Sequence, residues 1–349
     1  MLIAQGAHRD KRALTASYNY LIMGTIGATF FVIGVGFLYM ATGTLNMADL
    51  ADRIENQYDS RTVRAAFAFI MVGMGLKVAI FPLHLWLPNA YTYAPSAITS
   101  FLAATATKVA IYVMLRFLFS VFQPGFLAEV PTLDLILYPF AILAMFAASY
   151  TAILQRDLKR MLAYSSIGQV GYMLLGIALL SESGLMATMI HLFNHGITKA
   201  ALFMGVGVYV LNGGGSFYHN LRGRGKTMPW TSAAMVVAGL SLIGVPGTAG
   251  FLSKWLLVEA TLEQGLWPIA LLIVASSLLA VIYVWKLIET LYLAQPAEGL
   301  QDQNVPLMMM IPLWVMALAC IYFGFDTDIT LSAARSAAEG LLAGSAGMR

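Results

Sequence analysis

Apolar runs of about 20 residues recur along this chain, the length a helix needs to cross the hydrocarbon core of a bilayer. Nine can be read, at about 18–41, 64–83, 96–121, 132–154, 161–181, 184–211, 230–262, 266–294 and 306–324. The composition leaves little room for another reading. Hydrophobic residues make up 59% of the 349 and charged residues 11%, against about 25% charged in a soluble domain. Mean hydropathy is +0.76. A water-soluble fold with this balance would expose apolar surface that its polar residues could not cover. The strict alternation of a membrane β-barrel is absent. The expected class is an all-α polytopic membrane protein with about nine transmembrane helices.

Several function classes drop out. The net charge is +3 with no basic block, so no nucleic-acid partner is expected. Cys320 is the single cysteine, which excludes an intrachain disulfide or a cysteine metal cluster. The N-terminal stretch MLIAQGAHRDKRAL has too short an apolar part for a signal peptide, and its charges follow that part. Loops on the N-terminal side carry Arg9, Lys11, Arg12, Arg156, Lys159, Arg160, Arg222, Arg224 and Lys226; the other side carries Arg53, Arg61, Arg64, Arg335 and Arg349. The excess of positive charge puts the N-terminus in the cytoplasm and the C-terminus outside.

Two spans should be broken. The stretch 230–262 is longer than a straight span needs and contains GVPGTAG, with Gly244, Pro246 and Gly247. Proline removes a backbone donor and glycine loosens the helical ladder. The stretch 64–95 runs through FPLHLWLP, with Pro82 and Pro88. Open backbone at membrane depth persists only where it faces protein or a water-filled cavity, and paired broken helices point to a transport site. Lys77 and Lys254, in the two broken spans, are separated by almost the same interval as Lys108 and Lys286. This spacing hints at a duplicated unit.

The titratable groups inside the spans are Lys77, His84, Lys108, Arg116, His191, His195, Lys199, Lys254, Glu259, Lys286 and Glu289. A lysine at a helix centre costs about 2.5–3.5 kcal/mol on insertion scales. Structural explanations suffice for some. Lys286 and Glu289 can form a local i, i+3 pair, Arg116 can sit near an interface, and His84 can bond backbone at its helix break. Lys77, Lys108, Lys199 and Lys254 are too central to snorkel easily. In HLFNHGITKAALF, residues 191–203, His191, His195 and Lys199 recur every fourth position and share one helix face. A His-x3-His pair can bind zinc. Here no glutamate follows the first histidine, no third ligand is evident, and the lysine repels a cation. A proton-transfer row through water is the better reading, with no metal or cofactor.

QRDLKRMLAYSSIGQVGYM (155–173), GLKVAIFPLHLWLPNAYTYAPSAITSFLAATATKVAIYVMLRF (75–117), HLFNHGITKAALF and GLSLIGVPGTAGFLSKW (239–255) resemble the motifs of antiporter-like proton-translocating membrane subunits. That family comprises the large hydrophobic subunits of respiratory complex I (NADH-quinone oxidoreductase) and the A and D subunits of Mrp-type multisubunit cation/proton antiporters. TGTLNMADL (42–50) and SSLLAVIYVWKLIE (276–289) lie nearest the Mrp D subunit. The resemblance implies two inverted five-helix repeats, each with a broken helix, in a bacterial cytoplasmic membrane protein. Residues 1–121 would be the rest of the first repeat, 132–294 the second, and 306–349 a C-terminal transmembrane helix and tail. It gives Lys77 and Lys108 to the first half-channel and its link, and His191, His195, Lys199 and Lys254 to the second. It also implies that the chain begins after the family's fifth helix, which carries the glutamate partner of Lys77.

The expected function is proton translocation in a monovalent cation/proton antiporter, with Na+ as the expected cation. Other membrane subunits and the lipid bilayer are the expected partners. The rivals are a proton-pumping complex I subunit, a truncated scaffold, and a metal-dependent membrane enzyme using His191 and His195.

Overall fold

The computed structural model describes residues 1–8, 10–130, 132–213, 215–295 and 305–343. Arg9 and Arg349, counted among the loop charges, lie outside the described residues. Helix dominates throughout, and the one β feature among the described residues is an isolated bridge between Asp157 and Phe217. After a 3-10 turn at Ile3–His8 come α1 (Arg12–Thr42), α2 (Met47–Ile54), α3 (Arg61–Val78), α4 (Trp86–Tyr93) and α5 (Ser96–Leu115). A π segment, Arg116–Phe122, joins α5 to α6 (Gln123–Glu129). Another, Ala144–Ala148, joins α7 (Thr132–Leu143) to α8 (Ser149–Leu154). Then follow α9 (Leu158–Ala178), α10 (Glu182–Leu211), α11 (Arg224–Thr227), α12 (Pro229–Ile243) and α13 (Ala249–Glu263). The chain closes with α14 (Trp267–Ile288), α15 (Leu307–Phe325) and α16 (Asp328–Leu342).

Among the described residues, six stretches are long and apolar enough to cross a membrane. They are Arg12–Thr42, Ser96–Glu129, Ile136–Leu154, Leu158–Ala178, Trp267–Leu293 and Leu307–Phe325. The other three of the nine stretches read from the sequence are the two broken ones and α10. The α10 helix has 30 residues; its histidines, Asn194, Thr198 and Lys199 are what lower its apolarity.

Two segments differ from the sequence reading. Residues beyond 325 read as a tail, yet 328–342 form α16, which packs on α10 and on the π segment after α5. Its buried side is narrow, with Ala334, Ala338 and Leu341 at helical spacing, so no apolar run announces it. No span is expected between 41 and 64, yet this stretch carries the short helix α2, with Asp49 and Asp52 on it. That helix starts at Asn46, whose side chain accepts from the amides of Ala48 (3.0 Å) and Asp49 (3.3 Å).

Helices pack closely where glycine removes the side chain, as membrane helices must when burial of apolar surface gives no drive. Against α1, a Cβ on Gly73 would lie 2.7 Å from the Gly27 carbonyl oxygen and from the Phe31 amide. Between α9 and α10, a Cβ on Gly184 would lie 2.6 Å from the Gly176 carbonyl oxygen. The α9–α10 pair forms the centre of the molecule, and α10 also touches α5, α12, α13, α15 and α16.

Replacing Gly73 by valine should wedge α1 from α3, with a loss of about 1–3 kcal/mol, the usual cost of overpacking. A lower melting temperature in detergent, with α-helical circular dichroism retained at low temperature, is the expected result.

Candidate functional site: a buried lysine–histidine row

Breaking a helix leaves carbonyls without amide partners, and in an apolar surround each needs another donor. The chain stops being helical at Ile243 and resumes at Ala249. Gly244 and Gly247 adopt left-handed backbone there, with φ of 88° and 84°. Pro246 lies between them. The carbonyls freed at the end of α12 face the first turns of α13. Lys254 reaches back from α13 and donates to the oxygens of Leu242 (3.2 Å) and Ile243 (2.8 Å). This places an ammonium on the negative end of the α12 dipole. Glycine at 244 makes room, since a Cβ there would lie 3.1 Å from Lys254 Cδ.

Lys254 Nζ also sits over the Tyr172 ring, 5.0 Å from its centroid. His191 lies beside that same ring, at 5.7 Å between centroids. His191 Nδ1 is 2.8 Å from Ser253 Oγ on α13. One turn along α10, the His195 ring lies 6.1 Å from His191 and within 16° of parallel, as i, i+4 side chains on one helix face should. Lys199 follows one turn later. It donates to the Leu162 carbonyl (2.9 Å) and to Ser165 Oγ (2.5 Å) on α9. Lys108 approaches from α5 and donates to its own helix at the Ala103 carbonyl.

All five groups are buried, Lys199 at 0% exposure and Lys254 the most open at 7%. His191, His195 and Lys199 stand one turn apart on α10, and Lys108 and Lys254 come from α5 and α13, both packed against α10. His191 Nε2 and both His195 nitrogens are buried with no protein partner. Buried imidazoles in that condition call for water as the remaining partner. No carboxylate stands among the described residues of the row, and none of the described residues form a cluster of three or more metal-binding groups.

The structure does not bring Lys77 into this row. Lys77 ends the last turn of α3 with its side chain exposed, on the side of α1, where Nζ lies 3.9 Å from the place a Cβ on Gly24 would take. The first break is closed differently from the second. The α3 helix ends at Val78, Pro82 falls in the connection and Pro88 in the first turns of α4. Trp86 Nε1, rather than a lysine, donates to the Leu76 carbonyl at 2.8 Å. His84 stacks on Phe81 at 5.1 Å, and its Nδ1 has no partner. Lys286 does not pair with Glu289: it caps α8, donating to the oxygens of Ile153 (2.9 Å) and Gln155 (2.8 Å). Glu259 is exposed and Arg116 half-buried.

Several uncharged members escaped the sequence reading. Asn194 donates to the Ala249 carbonyl at the start of α13, 2.5 Å away. Thr198 meets Ser241 at 3.1 Å on the last turns of α12. Tyr172 bonds Ser276 (3.0 Å) on α14. A signal was available for two of them. Asn194 and Thr198 each sit beside a titratable position, so α10 carries a second polar stripe next to the first.

The family description NADH:quinone oxidoreductase/Mrp antiporter, TM, matches residues 1–280. The N subunit of NADH-quinone oxidoreductase from Desulforudis audaxviator is 39% identical over 344 residues, 95% of this chain and 68% of the relative. The D subunit of a Na(+)/H(+) antiporter from Alkalihalophilus pseudofirmus is 30% identical over 321 residues, 91% of this chain and 64% of the relative. A chain of the Mrp complex from Dietzia sp. superposes with a TM-score of 0.86 at 25% identity, covering 95% of this chain and 68% of that one. A chain of the membrane-bound sulfane sulfur reductase, an archaeal respiratory membrane complex, superposes at 0.84 with 32% identity, covering 98% and 68%. The chain thus spans about two thirds of the length of these proteins. On the length of the family match and these likenesses, the chain belongs to the NADH:quinone oxidoreductase/Mrp antiporter transmembrane family.

Proposed function

We propose that this chain relays protons through the row Lys108, His195, Lys199, His191 and Lys254 as one membrane subunit of a larger assembly. The carrying observation is the buried His195, whose two ring nitrogens have no protein partner while lysines stand on both sides of it along the row. Water between these groups would let a proton pass by hydrogen-bond exchange. The break at 244–248 supports the same reading. It gives Lys254 a neutral resting place on two carbonyls, which hold the ammonium without a counter-ion to trap it.

In this reading the assembly exchanges protons for a monovalent cation, Na+ by likeness to the Na(+)/H(+) antiporter relative. A second reading, a proton-pumping subunit of an NADH-quinone oxidoreductase, is favoured by the 39% identity to an N subunit of that enzyme. Partner composition separates the two. Small antiporter subunits should co-purify in the first case and quinone-reducing subunits in the second. The membrane would be the bacterial cytoplasmic membrane, with the Arg156–Arg160 and Arg222–Lys226 loops inside. Lys77 belongs to this pathway only with a partner on its exposed face, because a bare ammonium there is costly in lipid. Residues 1–121 and 132–294 serve as the two half-channels.

Alanine at Lys199 or Lys254, introduced in the full assembly, should lower proton coupling in inverted vesicles by more than about tenfold, the worth of ~1.4 kcal/mol in the barrier. Wild-type coupling in both variants would sink the relay. Gly244→Ala adds no charge, yet it forces a side chain into left-handed backbone at a cost of about 1–3 kcal/mol and crowds Lys254. It should impair coupling while the subunit still assembles, as read by co-purification of its partners.

A further inference from the structure

A polar cleft of about 870 Å3 opens at the end of the bundle where α1 begins, α4 ends and α9 begins. Its lining includes Arg12, Tyr93, Arg156, Lys159, Arg160 and Ser216. A second space, an apolar groove of about 720 Å3, runs between α5, α10 and α15. Gly196, Ala200 and Gly207 of α10 form its floor, Phe101 and Met316 stand in its walls, and Lys108 lies along it. The two adjoin, for Ser96, Gly207 and Met309 line both. Each lies in the range of about 300–1,000 Å3 typical of ligand clefts.

The charges in the cleft are unequal in availability. Asp10 and Asp157 line it as well, but both are engaged. Asp10 holds Arg12 at 2.6 Å. Asp157 caps α9, accepting from the Arg160 amide (3.0 Å) and Ser216 Oγ (2.5 Å). Lys159 donates to the Ala94 carbonyl at 3.0 Å. Arg156 and Arg160 are in no ion pair among the described residues, and Arg160 Nε is buried without a partner. A basic cleft that adjoins an apolar groove fits one kind of molecule. It must have an anionic head, to neutralise the arginines, and a long apolar tail, to fill the groove. A soluble anion would leave the groove uncovered, and a purely apolar segment would leave Arg160 unsatisfied.

We propose that this face holds an anionic phospholipid, its phosphate against Arg156 and Arg160 and an acyl chain in the groove between α5, α10 and α15. The chain would cover the one wall where the groove reaches Lys108 and so seal the row from the side. That consequence rests on the relay reading; the binding does not.

The full assembly, extracted in mild detergent and examined by native mass spectrometry and lipid extraction, tests the binding. The probes are nanodiscs of phosphatidylglycerol or of phosphatidylcholine, and inorganic phosphate alone. The expected result is retained phosphatidylglycerol that phosphate alone does not displace. Arg156→Gln with Arg160→Gln should weaken the preference for phosphatidylglycerol about fivefold per arginine. Ala97→Phe, at an exposed position on the groove wall, should reduce lipid retention while the melting temperature holds. A benzophenone amino acid at position 97 should cross-link to lipid. Cross-linking to a polypeptide, displacement by inorganic phosphate, or unchanged retention in both sets of variants would each overturn the proposal. So would equal retention of phosphatidylcholine.

Discussion

The constraint on which the structure turns is that α10 is too polar to face lipid. Its two histidines, Asn194, Thr198 and Lys199 are all buried, and none could be left in hydrocarbon without a large penalty. The rest of the fold answers that demand. Helices α5, α9, α12, α13, α15 and α16 close around α10, and they supply partners as well as cover. Ser165 comes from α9, Ser241 from α12, and Ser253 with the Ala249 carbonyl from α13. Glycines set the distances. A Cβ on Gly205 would lie 2.2 Å from Met235 Sδ, so glycine there leaves room for the Met235 side chain of α12.

A second theme is the use of ammonium groups to close helix ends. Lys159 caps α4 at Ala94, Lys286 caps α8 at Ile153 and Gln155, and Lys254 caps α12 at Leu242 and Ile243. Carbonyl dipoles at a C-terminus favour a cation, and a buried lysine needs acceptors. One chemical arrangement therefore serves two ends. Lys286 is a structural cap: it stands half-buried over Tyr218, away from the histidines. Lys254 makes the same bonds but lies beside Tyr172 and within electrical reach of His191. Capping holds it in place, and its neighbours give the charge something to act on.

The sequence shows the class of fold clearly because the apolar runs are long and lysine is costly inside them. It shows the shared face of His191, His195 and Lys199 because helical spacing is fixed. It misses α16, whose buried stripe is three small or medium residues wide, and it misassigns Lys286, whose acceptors lie more than 130 positions away in the chain. Which lysine enters the row is likewise a tertiary fact. Lys77 and Lys254 look equivalent along the chain. Yet Lys77 comes before its break and faces outward, while Lys254 comes after its break and folds back over it. The indole of Trp86 takes the capping role in the first case, so nothing draws Lys77 inward.

Lys108 links the row to the apolar groove. It is the member of the row on α5, and its helix is also a wall of the apolar groove. Of the five members only Lys108 lines that groove, although all five are at most 7% exposed. Beside Lys108, α5 and α15 flank a face of α10 that carries only Gly196, Ala200 and Gly207 at the floor of the groove. The proposed relay needs water inside and none leaking sideways, since low dielectric surroundings are what keep charge on its path. In the lipid proposal a bound phospholipid supplies insulation along this groove, and the arginines at its mouth select the charge of its head.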